Sequence, residues 1–237
     1  EFGVGGNAAT AVALGQGLPF EIIVAASRNE SSKDEATNAI VVEADSELQN
    51  AAQLEGKKVA MAGSKGLSEY MVRVAVEAAG GDPDKVSLVQ LDQPSGIAAL
   101  EKGDVDAALV FQPYTAQSIA DGKRAIAYPS FDSSPGALYS AWFATKSYLA
   151  GNADVAEKFI EAIEKANTFS TENPEEANAL LAEELELPAD VVPMLPAITY
   201  GGSLNEEEVQ ATLDDVVRYG WNEKAMPSAA DVIWGGA

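Results

Sequence analysis

Short apolar runs of strand length recur along the chain, at residues 21–27, 38–42, 58–62, 86–91, 105–111, 125–128 and 139–144. Between them lie segments whose apolar residues fall at helical spacing, many closed by glycine. Residues 7–16 predict a short helix stopped by Gly17 and Pro19, and residues 48–54 a short helix before Gly56. Residues 68–79 predict a helix with Ser68 as N-cap and Gly80-Gly81 as its stop. Residues 94–102 predict one with Pro94 in its first turn, and a shorter helix runs from Tyr114 to Gly122. The last hundred residues turn helical. Asn152 is read as the cap of a helix over 155–169, with Val155, Phe159, Ile163 and Ala166 on one face, and residues 174–185 give another. Asn205 opens a third, with Val209, Leu213 and Val216 inward and Gly220 as stop. Strand and helix alternate almost throughout, which predicts an α/β fold with largely parallel sheets.

Two strand-like crossings, at 38–42 and 139–144, bracket a βαβαβ block. The simplest topology puts residues 42–138 in one lobe and residues 1–41 with 139–237 in a second, discontinuous lobe. A lobe inserted through two strands makes a hinge, and a cleft between α/β lobes is a natural small-molecule site.

Composition then removes much chemistry. The 237 residues contain no Cys and no His, so the chain alone builds no disulfide, thiolate nucleophile, Cys/His zinc site or Ser-His-Asp triad. With 15 Lys+Arg against 37 Asp+Glu the formal charge is −22, which repels nucleic acid and anionic membrane surfaces. Between Lys165 and Arg218 lie twelve acidic residues and no basic one, the pattern of a solvated helical face. No run of 18 apolar residues is present, and neither is a signal peptide. Asp82-Pro83-Asp84 lacks calcium-loop spacing, and Asp104 with Asp106 reads as a polar strand start. No metal site, catalytic residue or cofactor is assigned.

Three segments could carry ligand chemistry. The first is Gly5, Gly6, Asn7 and Ala8, where a strand runs into a helix. Gly3, Gly5 and Ala8 formally satisfy the dinucleotide pattern G-x-G-x-x-A, with Glu30 near the spacing of a ribose-binding acid. The strand is short and Asn7 is itself a good cap, so the preferred reading is a helix start offering N–H groups to a small ligand. The second segment is Ser64, Lys65, Gly66, Leu67 and Ser68, again a strand-to-helix loop, with hydroxyls and one rare positive charge. It is not a phosphate-binding P-loop, which needs G-x-x-x-x-G-K-[ST]. The third is Phe111, Gln112 and Tyr114, after a strongly apolar strand, where ligands of open α/β sheets gather. Tyr139 joins these as a cleft wall, whereas Trp142 reads as core. For each there is a plainer reading: a capped turn, a solvated lysine, an aromatic packed inside.

Taken in order, these segments resemble a known family. The stretches FGVGGNAATAVALGQGLPFEIIVAAS, LEGKKVAMAGSKGLSEYMVRVAVEAAGGDPDKVSLVQL, IAALEKGDVDAALVFQPYTA and FIEAIEKANTFSTENPEEANALLAEEL are similar to the extracytoplasmic solute-binding proteins of ABC importers, in the nitrate/sulfonate/taurine and thiamine-precursor-like group. The resemblance implies a two-lobe type II periplasmic-binding fold that captures a small organic anion and hands it to permease subunits in the membrane, without catalysis. It implies ligand contacts from the loops at Gly5–Ala8 and Ser64–Ser68 and from Phe111–Tyr114. Gln112 stands where relatives commonly carry an acid before Pro-Tyr, and Phe111 where they carry Trp. Relatives also begin with an additional strand–helix–strand–helix, so the N-terminal part of the first lobe is expected to be missing here. The implied protein is exported, either free in the periplasm or lipid-anchored on the outer face of the membrane, and monomeric when full length. The competing reading is an enzyme acting on a small heterocyclic or aromatic molecule on the same fold; the histidine-dependent pyrimidine chemistry known on related folds has no histidine here. A transcription regulator's sensor domain is the third class, and no basic DNA-binding helix supports it.

Overall fold

The computed structural model describes residues 1–30, 32–33, 36–133, 135–184 and 200–236. The chain divides into two compact units, Glu1–Asn29 with Gly136–Ala177 and Ile198–Ala237, and Glu30–Pro135 with Asn178–Ala197.

The first unit opens with β1 (Phe2–Gly6), α1 (Asn7–Gly15) and β2 (Phe20–Arg28). The second follows with β3 (Asn38–Val42), a 3₁₀ turn (Ala51–Leu54), β4 (Lys58–Met61) and α2 (Leu67–Ala78). It continues through β5 (Ser87–Gln90), α3 (Gln93–Glu101), β6 (Ala107–Phe111), α4 (Tyr114–Ala120), β7 (Arg124–Ala127) and α5 (Pro129–Ser133). The chain then gives β8 (Leu138–Thr145), α6 (Lys146–Gly151), α7 (Ala153–Glu172), α8 (Pro174–Glu184), α9 (Glu206–Arg218) and α10 (Ala229–Val232).

In the second unit the sheet order is β5-β4-β6-β3-β7. Strands β5, β4 and β6 are parallel, while β3 runs antiparallel to β6 and β7. Strand β3 is buried along its whole length, which explains its unbroken apolar run. Ala39, Val41, Ala60, Leu100, Val105, Ala108 and Val110 form the core on one face of this sheet. Helix α3 comes close to β4 because Gly96 has no side chain: a Cβ there would lie 3.1 Å from Cβ of Ala60.

The first unit differs from the expectation of parallel strands. Its sheet has the order β1-β8-β2, and β8 pairs antiparallel with both neighbours. Helix α1 does join two strands of like direction, but β8, which returns over a hundred residues later, inserts between them. One face of this sheet packs on α7, where the Phe2 ring stacks on Phe159 at 4.1 Å and Trp142 meets Phe159 edge-on at 5.1 Å. On the other face α1 lies against α9.

Several local expectations shift. The compact units divide at 29/30, 135/136, 177/178 and 197/198, and β3 is tied by its backbone ladder to β6 and β7. The helix expected over 48–54 is a 3₁₀ turn capped by the Asn50 side chain. Asn152 does not cap α7 with its side chain, which donates back to the carbonyl of Tyr148 at 3.0 Å and closes the end of α6. Helices α5, α6 and α10 are short additions that hydrophobic spacing does not announce. The helix end expected at Leu185 and part of the loop over 28–37 fall outside the described residues.

Candidate functional site

Two rims carry the predicted residues, one in each unit. In the first unit the register pairs Gly6 with Ser140, so the β1–α1 junction lies beside the start of β8. Gly5, Gly6, Asn7, Ala8 and Tyr139 are thereby brought together. The glycines answer to packing: a Cβ at Gly3 would sit 2.7 Å from the Phe143 ring, and one at Gly5 would sit 3.2 Å from Oγ1 of Thr10. That is sufficient reason for the G-x-G spacing without a dinucleotide. Glu30, the would-be ribose acid, is buried and accepts from the backbone N–H of Thr37 at 2.8 Å.

Asn7 is not the cap that its identity suggests. Gly6 caps α1 with no side-chain bond, and Asn7 occupies the first helical position. Its amide turns inward. Nδ2 donates to the carbonyl of Leu138 at 2.7 Å and to Oγ1 of Thr212 at 3.4 Å, while Oδ1 accepts from the N–H of Ala8 at 2.7 Å. Asn7 therefore pins α1 to β8 and α9, and what this rim offers is backbone and the half-buried Tyr139. Just behind it Asn7, Thr10, Leu14, Leu138, Thr212 and Leu213 line a small cavity of about 10 Å³, room for one water.

The second rim follows from parallel strands. Because β5, β4 and β6 run the same way, the loops after all three leave the sheet at one edge. Those loops hold Ser64–Ser68, Leu91-Asp92-Gln93 and Phe111–Tyr114. In the first of them Ser64 and Lys65 are exposed and Gly66, Leu67 and Ser68 are half-buried. The expected cap Ser68 lies inside the first turn, and Gly66 is the cap. The work of a cap passes to Glu69, which is 7% exposed. Its Oε2 accepts from the N–H of Lys65 at 2.7 Å and its Oε1 meets Nε of Arg73 at 2.9 Å. Arg73 also reaches Asp84 at 2.7 Å. Burial pulls the Arg73 guanidinium down, and hydrogen bonds to Asp84 and Glu69 outweigh it and hold the group above its ordinary value. Held in this way, Lys65 takes the left-handed conformation with φ of 51°.

The third loop is tied inward as well. The Gln112 N–H bonds to the carbonyl of Thr37 at 2.9 Å, and its side-chain oxygen accepts from the N–H of Ala116 in the first turn of α4. The peptide bond from Gln112 to Pro113 is cis. Tyr114 packs on the core of the sheet, which was its plainer reading, and Phe111 ends β6 half-buried. The neighbouring loop supplies a residue that sequence reasoning missed. Gln93 places its Oε1 2.6 Å from the N–H of Phe111. Its signal was faint: a glutamine before Pro94 at the start of a helix. Among the described residues no group of three or more Asp or Glu could hold a metal ion. No helix described is long and apolar enough to cross a membrane.

The α/β architecture of two units matches the fold of solved periplasmic binding proteins. The solved structure of the periplasmic aliphatic sulphonate binding protein SsuA from Escherichia coli superposes with a TM-score of 0.79 at 22% identity, covering 100% of this chain and 76% of that one. The family model described as NMT1/THI5 like matches residues 1–177, and the chain belongs to that family. Among curated proteins, one from Brucella abortus named as a binding protein is 30% identical over 175 residues, 72% of this chain and 53% of the relative. The taurine-binding periplasmic protein of Escherichia coli is 26% identical over 170 residues, 72% of this chain and 51% of the relative. The chain thus spans about half the length of the curated relatives it matches.

Proposed function

We propose that this chain is the ligand-capturing part of a solute-binding protein of an ABC importer, and that its ligand is a small organic anion of the sulfonate or carboxylate kind. The observation that carries the reading is the rim of three loops at the carboxyl edge of β4, β5 and β6, furnished with hydroxyl and amide donors and the exposed Lys65 in a chain of net charge −22. An anion held there needs fixed N–H and O–H dipoles and no full positive charge. The taurine-binding relative and the sulphonate-binding fold support the ligand class. In the second unit the half-buried Phe111 would suit a ligand with an apolar or ring body. In this reading the protein acts outside the cytoplasm as a monomer, its partner is the membrane permease, and the ligand leaves unaltered. A chain without Cys or His lacks the usual nucleophile–base pairs, which supports binding over turnover.

Isothermal titration of the complete gene product with taurine, alkanesulfonates, aromatic acids and pyrimidines tests this. Binding of one acidic compound at a single site, with the compound recovered intact, is the expected result. Failure of every acidic compound to bind removes the anion; a new product in the recovered material removes the transport role.

A further inference from the structure

Resting on the anion-binding reading above, we propose that Gln93 is a ligand contact that selects for an anionic oxygen. The starting point is a gap in the sheet. Strand β4 pairs with β6 only through Val59–Ala107 and Ala60–Ala108, and beyond them the two strands part. The N–H of Phe111, at the far end of β6, bonds to no strand on that side. The Gln93 side chain fills the gap, with Oε1 2.6 Å from that N–H. A crevice where neighbouring parallel strands diverge at their carboxyl ends is where open α/β sheets take ligands.

Chemistry fixes the amide's orientation. A backbone N–H can be met only by the oxygen end, so Nε2 with its two hydrogens must face away from Phe111. Among the described residues Nε2 meets no protein acceptor, and Gln93 is half-buried. Two features hold the side chain's base still. Asp92 caps α3 by accepting from the N–H of Ser95 at 2.8 Å, and Gly96 lets the helix sit close on β4. The result is a rigid, uncharged donor beside Phe111. It accepts a hydrogen bond from the fold and offers its own to an oxygen acceptor.

The test compares wild type with Gln93→Glu. Glutamate can still accept from Phe111, but it puts a negative oxygen where the donor was. With 1-propanesulfonate and taurine as probes, the variant should bind whichever probe the wild type takes at least about tenfold more weakly, with an unchanged midpoint of thermal unfolding. Equal affinity in the two proteins overturns the assignment of Gln93 and leaves the anion reading standing. Absence of binding of either probe, and of benzoate, by the wild type at millimolar concentration overturns both. A second measurement needs only folded wild type. The ¹H–¹⁵N cross-peaks of the Gln93 side-chain amide should move downfield at saturation with the bound probe, and a pair that stays put refutes the contact.

Discussion

The starts of α1 and α2 look alike in sequence and differ in charge. Each follows a strand, and each is capped by a glycine whose backbone is extended, without a side-chain cap bond. A bare helix start favours an anion, and the two loops invite the same reading. At α1 the nearby side chain is the neutral amide of Asn7, turned toward Leu138. At α2 it is the carboxylate of Glu69, which already answers the N–H of Lys65. One helix start is left without a charge, and the other carries its own anion. A strand–glycine–helix motif therefore does not by itself set a ligand's sign; the residues of the first turn do. In the second unit a donor for an anion is better sought one strand over, at Gln93, than at the start of α2.

The sharpest way to break this contrast is to remove the built-in anion. Glu69→Ala takes the carboxylate that the Lys65 N–H and the Arg73 guanidinium share. A loss of about 1–2 kcal/mol is expected, because a partly buried backbone donor loses its acceptor while the half-buried Arg73 keeps Asp84. Urea unfolding checks it, and Glu69→Gln, which keeps an acceptor for Lys65, should recover part of the loss. A variant as stable as wild type would mean that the carboxylate does not hold the loop.

The same operation on α1 should cost less. Asn7→Ala removes a neutral bond to Leu138 and should lower stability by about 1 kcal/mol. Asn7→Asp is the more telling change. Aspartate suits a helix start by its charge, yet it would turn an oxygen toward the Leu138 carbonyl. We expect Asn7→Asp to be less stable than Asn7→Ala in the same urea titration, so that the inward bond outweighs the dipole. The reverse order would show that the helix start, not the bond, decides the residue.

Much of this molecule was legible along the chain, and what was hidden has a common cause. Apolar runs and glycine stops marked β2 to β7 and helices α2, α3, α7 and α9 to within a few residues, because local spacing reports burial directly. Pairing partners are another matter. That β8 enters between β1 and β2, or that β3 belongs with β6 and β7, is decided by residues far along the chain, as in the pairs Phe2–Ala144 and Asn38–Phe111. At the rims the residue types were visible and their partners were not. Asn7 looked like a cap and is a tie to β8. Glu69, which no motif singled out, closes the Lys65 loop. Gln93 carries no motif, since its role appears only once β6 is laid beside α3.

The smallest effect concerns the footing of that glutamine. Hydrogen bonds from the Ser95 side chain and backbone hold the Asp92 carboxyl below its ordinary value of 3.8. A folded-state value lower than the unfolded one means the cap stabilises the fold above the ordinary carboxylate range. That contribution fades as pH falls through the lowered value. Asp92 is exposed, so the change at neutral pH is slight and solvent-screened. Asparagine is as good a cap as aspartate and does not titrate. Asp92→Asn should therefore unfold at the wild-type midpoint at pH 7. Its Ser95 amide resonance should lose the acid-limb shift expected of wild type below the ordinary carboxylate range. A Ser95 amide that titrates alike in both proteins would assign the shift to another carboxyl and detach Asp92 from the support of Gln93.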